Sequence, residues 1–234
     1  MFEKGMGVET TDETSEDPQS LIEELNRSRE SFSSMSTAFS GAWLELVKNP
    51  ETREELRPYV EDRWVIDLGG GSLQGLRNEG LDAPPMQTVA EELNAGFYTI
   101  VDRHLMPGDH PLEWSSDYSN DPLVKRVVSS RGNVPTVYTH ADMLDFVSSL
   151  TERIRESSIP PTIALNGIDE EDIITDGRYH VLLAKEIAKA LPEGGVVLTR
   201  GSSAREYFEE EGLFLQDELV RGAEVWVKGA STAA

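Results

Sequence analysis

The sequence predicts a doubly wound α/β fold, with helices on both faces of a mostly parallel, seven-stranded sheet. Three observations favour this class. An apolar run at residues 64–68 leads directly into clustered glycines, segments typical of strands and helices alternate after it, and two antiparallel strands are predicted at the end. A chain of 234 residues is long enough for one such domain with a sizeable core.

The glycine cluster follows the predicted first strand, Trp64–Leu68, whose side chains are mainly apolar. Its members are Gly69, Gly70 and Gly71. Glycine adopts positive φ readily and has no Cβ, so such a turn lets a ligand approach the backbone closely. In open α/β sheets, ligands bind at the carboxyl ends of the strands. The pattern therefore indicates a site for a nucleotide-like cofactor at this edge.

The rest of the predicted sheet follows in order along the chain. The further strands are Phe97–Val101, Val134–Thr139, Thr162–Leu165, Val196–Thr199, Gly212–Leu215 and Ala223–Val227. The predicted helices among them are Gln87–Asn94, Leu123–Ser130, Asp142–Glu156, Arg178–Ala190 and Ala204–Glu211. Residues 103–121 contain prolines, glycine and aspartates, and are predicted to form a long irregular loop.

The chain before the first strand is predicted to divide into two parts. Residues 1–19 are rich in Glu, Asp, Thr and Ser and nearly lack large apolar side chains, which predicts an acidic, disordered tail. Residues 20–60 carry apolar side chains at helical spacing, with helix ends expected at Pro50 and Pro58. We expect this part to form a helical N-terminal cap beside the α/β domain, which takes residues 61–234.

The composition excludes several kinds of site and partner. The chain contains no cysteine, so disulfides, thiolate nucleophiles and cysteine metal sites are ruled out, and a cytoplasmic location is expected. Its net charge of −22 repels nucleic-acid phosphates and anionic lipid. No apolar run approaches the roughly 18 residues that a membrane span needs. We therefore expect a small-molecule partner, with no nucleic acid and no membrane, and the oligomeric state stays open.

The acidity itself has two interpretations. Acidic residues are spread along the whole chain, and arginine outnumbers lysine. A salt-adapted protein, from an organism with a high internal salt concentration, would have such a surface. An ordinary acidic enzyme with an acidic tail would have it too, and the sequence leaves both interpretations open.

Five segments, taken in their order along the chain, resemble motifs of class I S-adenosylmethionine-dependent methyltransferases. They are Asp67-Leu68-Gly69-Gly70-Gly71-Ser72, Asp102, Ala141-Asp142-Met143, Leu165-Asn166-Gly167-Ile168-Asp169 and Leu191-Pro192-Glu193-Gly194-Gly195. The similarity extends over about Trp64–Lys228. It implies a Rossmann-like sheet of seven strands whose final strand is antiparallel, and S-adenosylmethionine as the cofactor.

The resemblance also implies roles for particular residues. The cofactor-binding residues that it implies are Asp67, Gly69, Gly70, Gly71, Asp102, Asp142 and Met143. Among them, Asp102 resembles the acid that binds the ribose hydroxyls, and the segment around Asp142 resembles the one beside adenine. The loop that begins at Asn166 resembles the one near the reacting methyl. The family often carries a glycine where this chain has Leu73.

Elementary chemistry supports part of this assignment. A carboxylate such as Asp67 near the turn can attract the ammonium of a methionine group, and a negative local field suits a sulfonium. A dinucleotide fingerprint needs a third glycine, and Gln74 occupies that position, so the turn favours S-adenosylmethionine over a nicotinamide cofactor. Asp142 has a second interpretation, because it can cap the helix that begins at Met143. Both roles can coexist.

The candidates for chemistry are Asn166, which the resemblance places near the reacting methyl, and His180, at the start of the helix that follows. A histidine at a ligand-facing edge can act as a general base near neutral pH, although most isolated histidines have no such role. The four histidines of the chain lack the spacing of metal ligands, so no metal site is predicted.

The leading hypothesis is methyl transfer from S-adenosylmethionine to a small molecule. One alternative is a catalytically silent, methyltransferase-like domain that binds a partner through its helical N-terminus. Leu73 and the scarcity of bases favour that alternative. A weaker alternative is an NAD(P)-dependent oxidoreductase.

Overall fold

The computed structural model describes residues 50–70, 84–102, 125–129, 134–165, 177–200, 205–219 and 223–230. Within these ranges the strands form one eight-stranded sheet. The predicted tail, and the part of the predicted cap before residue 50, lie outside the described residues.

The strands of the sheet are spread along the described chain, from residue 64 to residue 228. Its strands are β1 (Trp64–Leu68), β2 (Phe97–Val101), β3 (Lys125–Ser129), β4 (Thr136–His140), β5 (Pro161–Leu165), β6 (Val196–Arg200), β7 (Leu213–Glu218) and β8 (Ala223–Lys228). Their spatial order is β3-β4-β2-β1-β5-β6-β8-β7. The five strands from β4 to β6 are parallel, and β8 is antiparallel to both of its neighbours. The predicted Rossmann-like fold class is therefore confirmed, including its antiparallel final strand.

The eighth strand is β3, and it corrects a prediction. A helix was expected over Leu123–Ser130, whereas Lys125–Ser129 pairs in antiparallel fashion with β4 at the edge of the sheet. The two adjacent valines, Val127 and Val128, have β-branched side chains that favour a strand over a helix. Pairing with β4 stabilises this short segment, which has no helical pattern of its own.

The helices lie on both faces of the sheet, as a doubly wound fold requires. They are α1 (Pro50–Glu55), α2 (Arg57–Val60), α3 (Pro85–Glu92), α4 (Met143–Glu156), α5 (Gly177–Ala190) and α6 (Arg205–Glu210). The helices α4, α5 and α6 cover one apolar cluster, which contains Phe208 and Trp226. The helices α2 and α3 cover the other, which contains Met86 and Tyr98. None of the helices in the described ranges is long and apolar enough to cross a membrane.

Pro58 has a different effect from the one expected. The sequence predicted that a helix would end there, but α1 ends at Glu55 and Pro58 lies in the first turn of α2. Proline is tolerated at this position, because the first N–H groups of a helix have no partner within it. The new helix buries Val60 against the sheet, and Arg53 of α1 forms an ion pair with Glu92 of α3. These contacts attach the end of the predicted cap to the sheet.

The alternation of side chains along β1 determines where its acidic residue points. Ile66 and Leu68 belong to the cluster under α4 and α5, and Val65 belongs to the cluster under α2 and α3. Because successive side chains of a strand point to opposite faces, Asp67 shares the face of Val65. A carboxylate therefore lies at the end of an otherwise apolar strand, on the same face as Tyr98 of β2.

Candidate functional site

Three neighbouring strands end together at one edge of the sheet. Leu68 of β1 is in register with Val101 of β2, and Val101 is in register with Thr139 of β4. The residues that follow these strands therefore lie side by side. The carboxyl ends of β1, β2 and β4 bring the neighbourhoods of Asp67, Asp102 and Asp142 to the same edge.

The turn after β1 depends on two glycines. Gly69 has a φ of 80°, in the left-handed region, and its N–H donates to the Val101 carbonyl at 2.9 Å. At Gly70 there is no room for a side chain: a Cβ would lie 2.5 Å from Ile100 Cδ1 and 2.8 Å from Asp67 Oδ2. The backbone of the turn therefore packs directly against the Asp67 carboxylate.

Asp67 is fully buried, and its two carboxylate oxygens have different surroundings. Oδ2 accepts a hydrogen bond from the Tyr98 hydroxyl at 2.7 Å. Oδ1 is also buried, and it has no hydrogen-bond partner within the described part of the chain. A buried polar atom without a partner costs about 1–3 kcal/mol of folding stability, and more when it is charged. Such an atom is suited to bind a ligand that donates a hydrogen bond.

The protonation of Asp67 responds to this environment. Burial raises the pKa of Asp67 to about 7, the Tyr98 hydrogen bond lowers it, and the negative charge of Asp102 raises it. Both forms of the carboxyl are therefore populated near neutral pH. Burial and the charge of Asp67 raise the pKa of Tyr98 well above its usual value, so its hydroxyl stays a donor.

Asp102 follows β2 and is buried, with 7% of its surface exposed. Its N–H donates to the Thr139 carbonyl at 3.1 Å, which continues the pairing of β2 with β4 beyond the last residue of β2. Its carboxylate is close enough to influence the pKa of Asp67. The position at the end of the second parallel strand is the one that the sequence resemblance assigned to the ribose-binding acid. That role stays a prediction.

Asp142 begins α4 as its N-cap. Its Oδ1 accepts from the Leu144 N–H at 2.9 Å and from the Tyr179 hydroxyl at 2.7 Å. The helix-capping interpretation of Asp142 is therefore confirmed. Because both bonds reach the same oxygen, the capping role is compatible with a second contact through Oδ2. The predicted contact with adenine stays a prediction.

Met143 and His180 lie in the described helices, and two other predicted site residues do not. Met143 is the first residue of α4 and is partly buried against the cluster under α4 and α5. His180 lies in the first turn of α5, although its side chain is not among those described. Gly71 and Asn166 lie outside the described residues. Within the described ranges, no three acidic or histidine side chains are grouped closely enough to bind a metal ion.

Sequence reasoning missed the two tyrosines that hold the aspartates. Tyr98 could have been found from strand alternation, because Tyr98 is in register with Val65, which lies two residues before Asp67 on the same face. Tyr179 could not have been found in this way. Its contact with Asp142 joins residues 37 positions apart on two helices, and it depends on how α4 and α5 pack.

No protein-family model matches the chain, and no curated protein matches it significantly. Solved structures with similar folds include a DUF574 family protein from Streptomyces avermitilis, which is 14% identical, with 88% of this chain and 90% of that chain covered and a TM-score of 0.48. For the antibiotic-resistance methyltransferase Kmr, the identity is 15%, the coverage 76% and 92%, and the TM-score 0.41. The Burkholderia thailandensis 1,6-didemethyltoxoflavin-N1-methyltransferase, which has S-adenosylhomocysteine bound, is 11% identical. The match covers 91% of this chain and 87% of that chain, with a TM-score of 0.44. The similarities concern the fold.

Proposed function

We propose that the protein transfers a methyl group from S-adenosylmethionine to a small-molecule acceptor. The observation that carries the proposal is the Asp67 carboxylate, which is fully buried under a glycine turn and has one oxygen without a partner among the described residues. A cationic ligand group would supply the missing hydrogen bond and the missing positive charge. The motifs around Asp67, Asp102 and Asp142 resemble those of methyltransferases that use this cofactor.

The polar groups at the edge fit the parts of this cofactor. Asp67 suits the ammonium of the methionine group. Asp102, with two carboxylate oxygens, suits the two ribose hydroxyls. Asp142 and Met143 offer a polar and an apolar contact beside a flat base. The acidic field from Asp67 and Asp102 also favours a sulfonium over an anionic pyrophosphate.

The proposed reaction depends mainly on the positions of the acceptor and the cofactor relative to each other. When bound, the cofactor supplies an electrophilic methyl: a lone pair of the acceptor forms a bond to the methyl carbon while the carbon–sulfur bond breaks and its electrons return to sulfur. Holding the two reactants in line accounts for much of the acceleration. We assign Asn166 and His180 to the acceptor side, where His180 could take the proton that the acceptor loses.

The charge of the protein supports a small acceptor. A net charge of −22 repels the phosphates of a nucleic acid over distances of about one Debye length, roughly 8 Å at physiological salt. A neutral or cationic small molecule meets no such barrier. We therefore favour a small organic acceptor over RNA.

Binding calorimetry tests the proposal. S-Adenosylmethionine and S-adenosylhomocysteine should bind to the wild-type protein, and NADH should not. In Gly70→Ala, the added methyl would displace Ile100 or the Asp67 carboxylate, so we expect at least a tenfold loss of affinity. Binding of NADH alone would favour an oxidoreductase, and binding of no nucleotide would favour a silent domain.

Gly195→Ala is the matched control for that variant. A Cβ there would lie 2.8 Å from Leu191 Cδ2, so the crowding is comparable, but Gly195 precedes β6 at the opposite edge of the sheet. We expect this control to lower the melting temperature and to leave the affinity of the folded protein unchanged. Equal losses of affinity in the two variants would contradict the assignment of the site to the turn after β1.

A further inference from the structure

Among the described residues, the Asp67 carboxylate is held by a hydrogen bond at one of its two oxygens. The Tyr98 hydroxyl donates to Oδ2, and the backbone at Gly70 packs against the same oxygen. Oδ1 has no hydrogen-bond partner within the described chain, and it is buried like the rest of the side chain. A carboxylate with one oxygen bound has little freedom to rotate, so the direction of Oδ1 is determined by the bond to Tyr98.

Among the described residues, no cation around Asp67 and Tyr98 compensates the charge of the Asp67 carboxylate. On the β5 side, Asp67 is in register with Ala164, which is apolar. At the end of β2, Asp102 carries a like charge, and it raises the pKa of Asp67. On the same face, Tyr138 of β4 and Glu91 of α3 raise the pKa of Tyr98. The ionised form of Asp67 therefore lacks a positive partner in the described part of the protein.

We propose that Tyr98 is a positioning residue for the cofactor: its hydroxyl holds Oδ2 of Asp67 so that Oδ1 is presented to the ammonium of the methionine group. This inference rests on the proposed function, since it needs a ligand with an ammonium. The Tyr98 hydroxyl acts through its hydrogen bond to Asp67, and the ligand contact belongs to Asp67.

The same hydrogen bond controls when Asp67 carries its charge. A donor to the ionised carboxylate favours that form, and the Tyr98 bond lowers the pKa of Asp67 against the effect of burial. Without the hydroxyl, the pKa of Asp67 rises further, and a larger fraction of the carboxyl is protonated at neutral pH. A protonated carboxyl attracts an ammonium weakly. Ligand affinity should therefore increase with pH, and its midpoint should depend on Tyr98.

The test compares Tyr98→Phe with Tyr138→Phe by calorimetry with S-adenosylhomocysteine over a range of pH. Tyr138 is the matched control, because it is another buried tyrosine on the same face whose hydroxyl donates to Gln87, at 2.8 Å, and not to Asp67. At neutral pH, we expect Tyr98→Phe to lose about tenfold in affinity, the effect of one hydrogen bond to a charged group. Its pH midpoint should move to higher pH. Tyr138→Phe should keep the wild-type affinity and midpoint.

A second ligand separates positioning from a general structural effect. 5′-Methylthioadenosine keeps the adenosyl group and lacks the ammonium, so its affinity should be the same in Tyr98→Phe and in the wild type. Equal losses for both ligands would overturn the inference, because Tyr98 would then be needed only for folding. An unchanged affinity and midpoint for S-adenosylhomocysteine would overturn it as well.

Asp67→Asn provides an independent variant, in case Tyr98→Phe folds poorly. It keeps the shape of the side chain and removes its charge, so S-adenosylhomocysteine should bind weakly at every pH while 5′-methylthioadenosine binds as before. A retained pH dependence would show that Asp67 is not the titrating group and would overturn the inference. If the wild type binds neither ligand, the proposed function fails and the inference fails with it. If the wild type binds both ligands and Tyr98→Phe leaves the affinity and the pH midpoint unchanged, the inference fails alone. The two failures are therefore distinguishable.

Discussion

The Tyr179 hydroxyl lies 2.7 Å from Oδ1 of Asp142 and joins the start of α5 to the start of α4. The Leu144 N–H reaches the same pair, at 2.9 Å from the carboxylate and 3.3 Å from the tyrosine oxygen. The helix cap is therefore fixed by a side chain from a different helix. Because Asp142 follows β4, this contact also fixes one end of the proposed cofactor site.

Removing the Tyr179 hydroxyl should loosen this junction. Tyr179→Phe leaves the ring, which is 1% exposed, and deletes a hydrogen bond to a carboxylate. We expect the free energy of unfolding to fall by about 1–2 kcal/mol in urea denaturation. Tyr59→Phe is the control. The hydrogen bond of its hydroxyl to Asp217 is long, at 3.4 Å, and exposed, so its loss should change the stability little. Equal effects of the two variants would mean that the Tyr179 bond adds no stability.

Two substitutions at Asp142 separate its capping role from a role with adenine. Asparagine caps helices about as well as aspartate, and alanine does not. We therefore expect Asp142→Ala to lower the free energy of unfolding by about 1 kcal/mol, and Asp142→Asn to change it much less. If the carboxylate also binds adenine, both variants should weaken binding of 5′-methylthioadenosine. A loss that is limited to Asp142→Ala would assign Asp142 to the cap alone.

The buried Asp67 should lower stability at neutral pH. Its pKa is about 7 in the folded protein, against an ordinary value of 3.8. Between these values the folded state binds more protons than the unfolded state, so the contribution of Asp67 to stability falls as the pH rises and becomes constant above about 7. Below the ordinary value, both states are protonated and the contribution disappears.

Asp67→Asn therefore has a predicted pH signature. Relative to the wild type, it should be about equally stable near pH 4 and more stable by a few kcal/mol near pH 8. Urea denaturation of the two proteins side by side removes the effect of all other carboxyls, because these are common to both. A difference that does not change with pH would contradict the raised pKa of Asp67.

These contacts show how far a sequence can predict such a site. The edge that carries Asp67, Gly70 and Asp102 follows from local patterns, since an apolar run, an acid and glycines already specify a strand and a tight turn. The strand at Lys125–Ser129 was missed because its stability comes from pairing with β4, which is not a local property. The Tyr179 contact was missed for the same reason, since helix packing brings it to Asp142.

The acidity of the chain predicts a response to salt. A net charge of −22 implies strong repulsion in the folded state, which salt screens. If the protein is salt-adapted, its melting temperature should increase steeply with KCl into the molar range. An ordinary acidic protein should show a small rise that ends near 0.2 M, where the Debye length is about 7–8 Å. Sucrose at the same osmolarity is the control for general exclusion effects. A flat curve would exclude salt adaptation.

The most direct measurement is a crystal structure of the protein grown with S-adenosylhomocysteine. We expect the ammonium to lie about 2.7–3.2 Å from Asp67 Oδ1, with the Tyr98 hydroxyl still bound to Oδ2 and the ribose hydroxyls bound to Asp102. A ligand bound elsewhere, or a crevice beyond Gly70 that is filled by the protein's own side chains, would contradict this expectation.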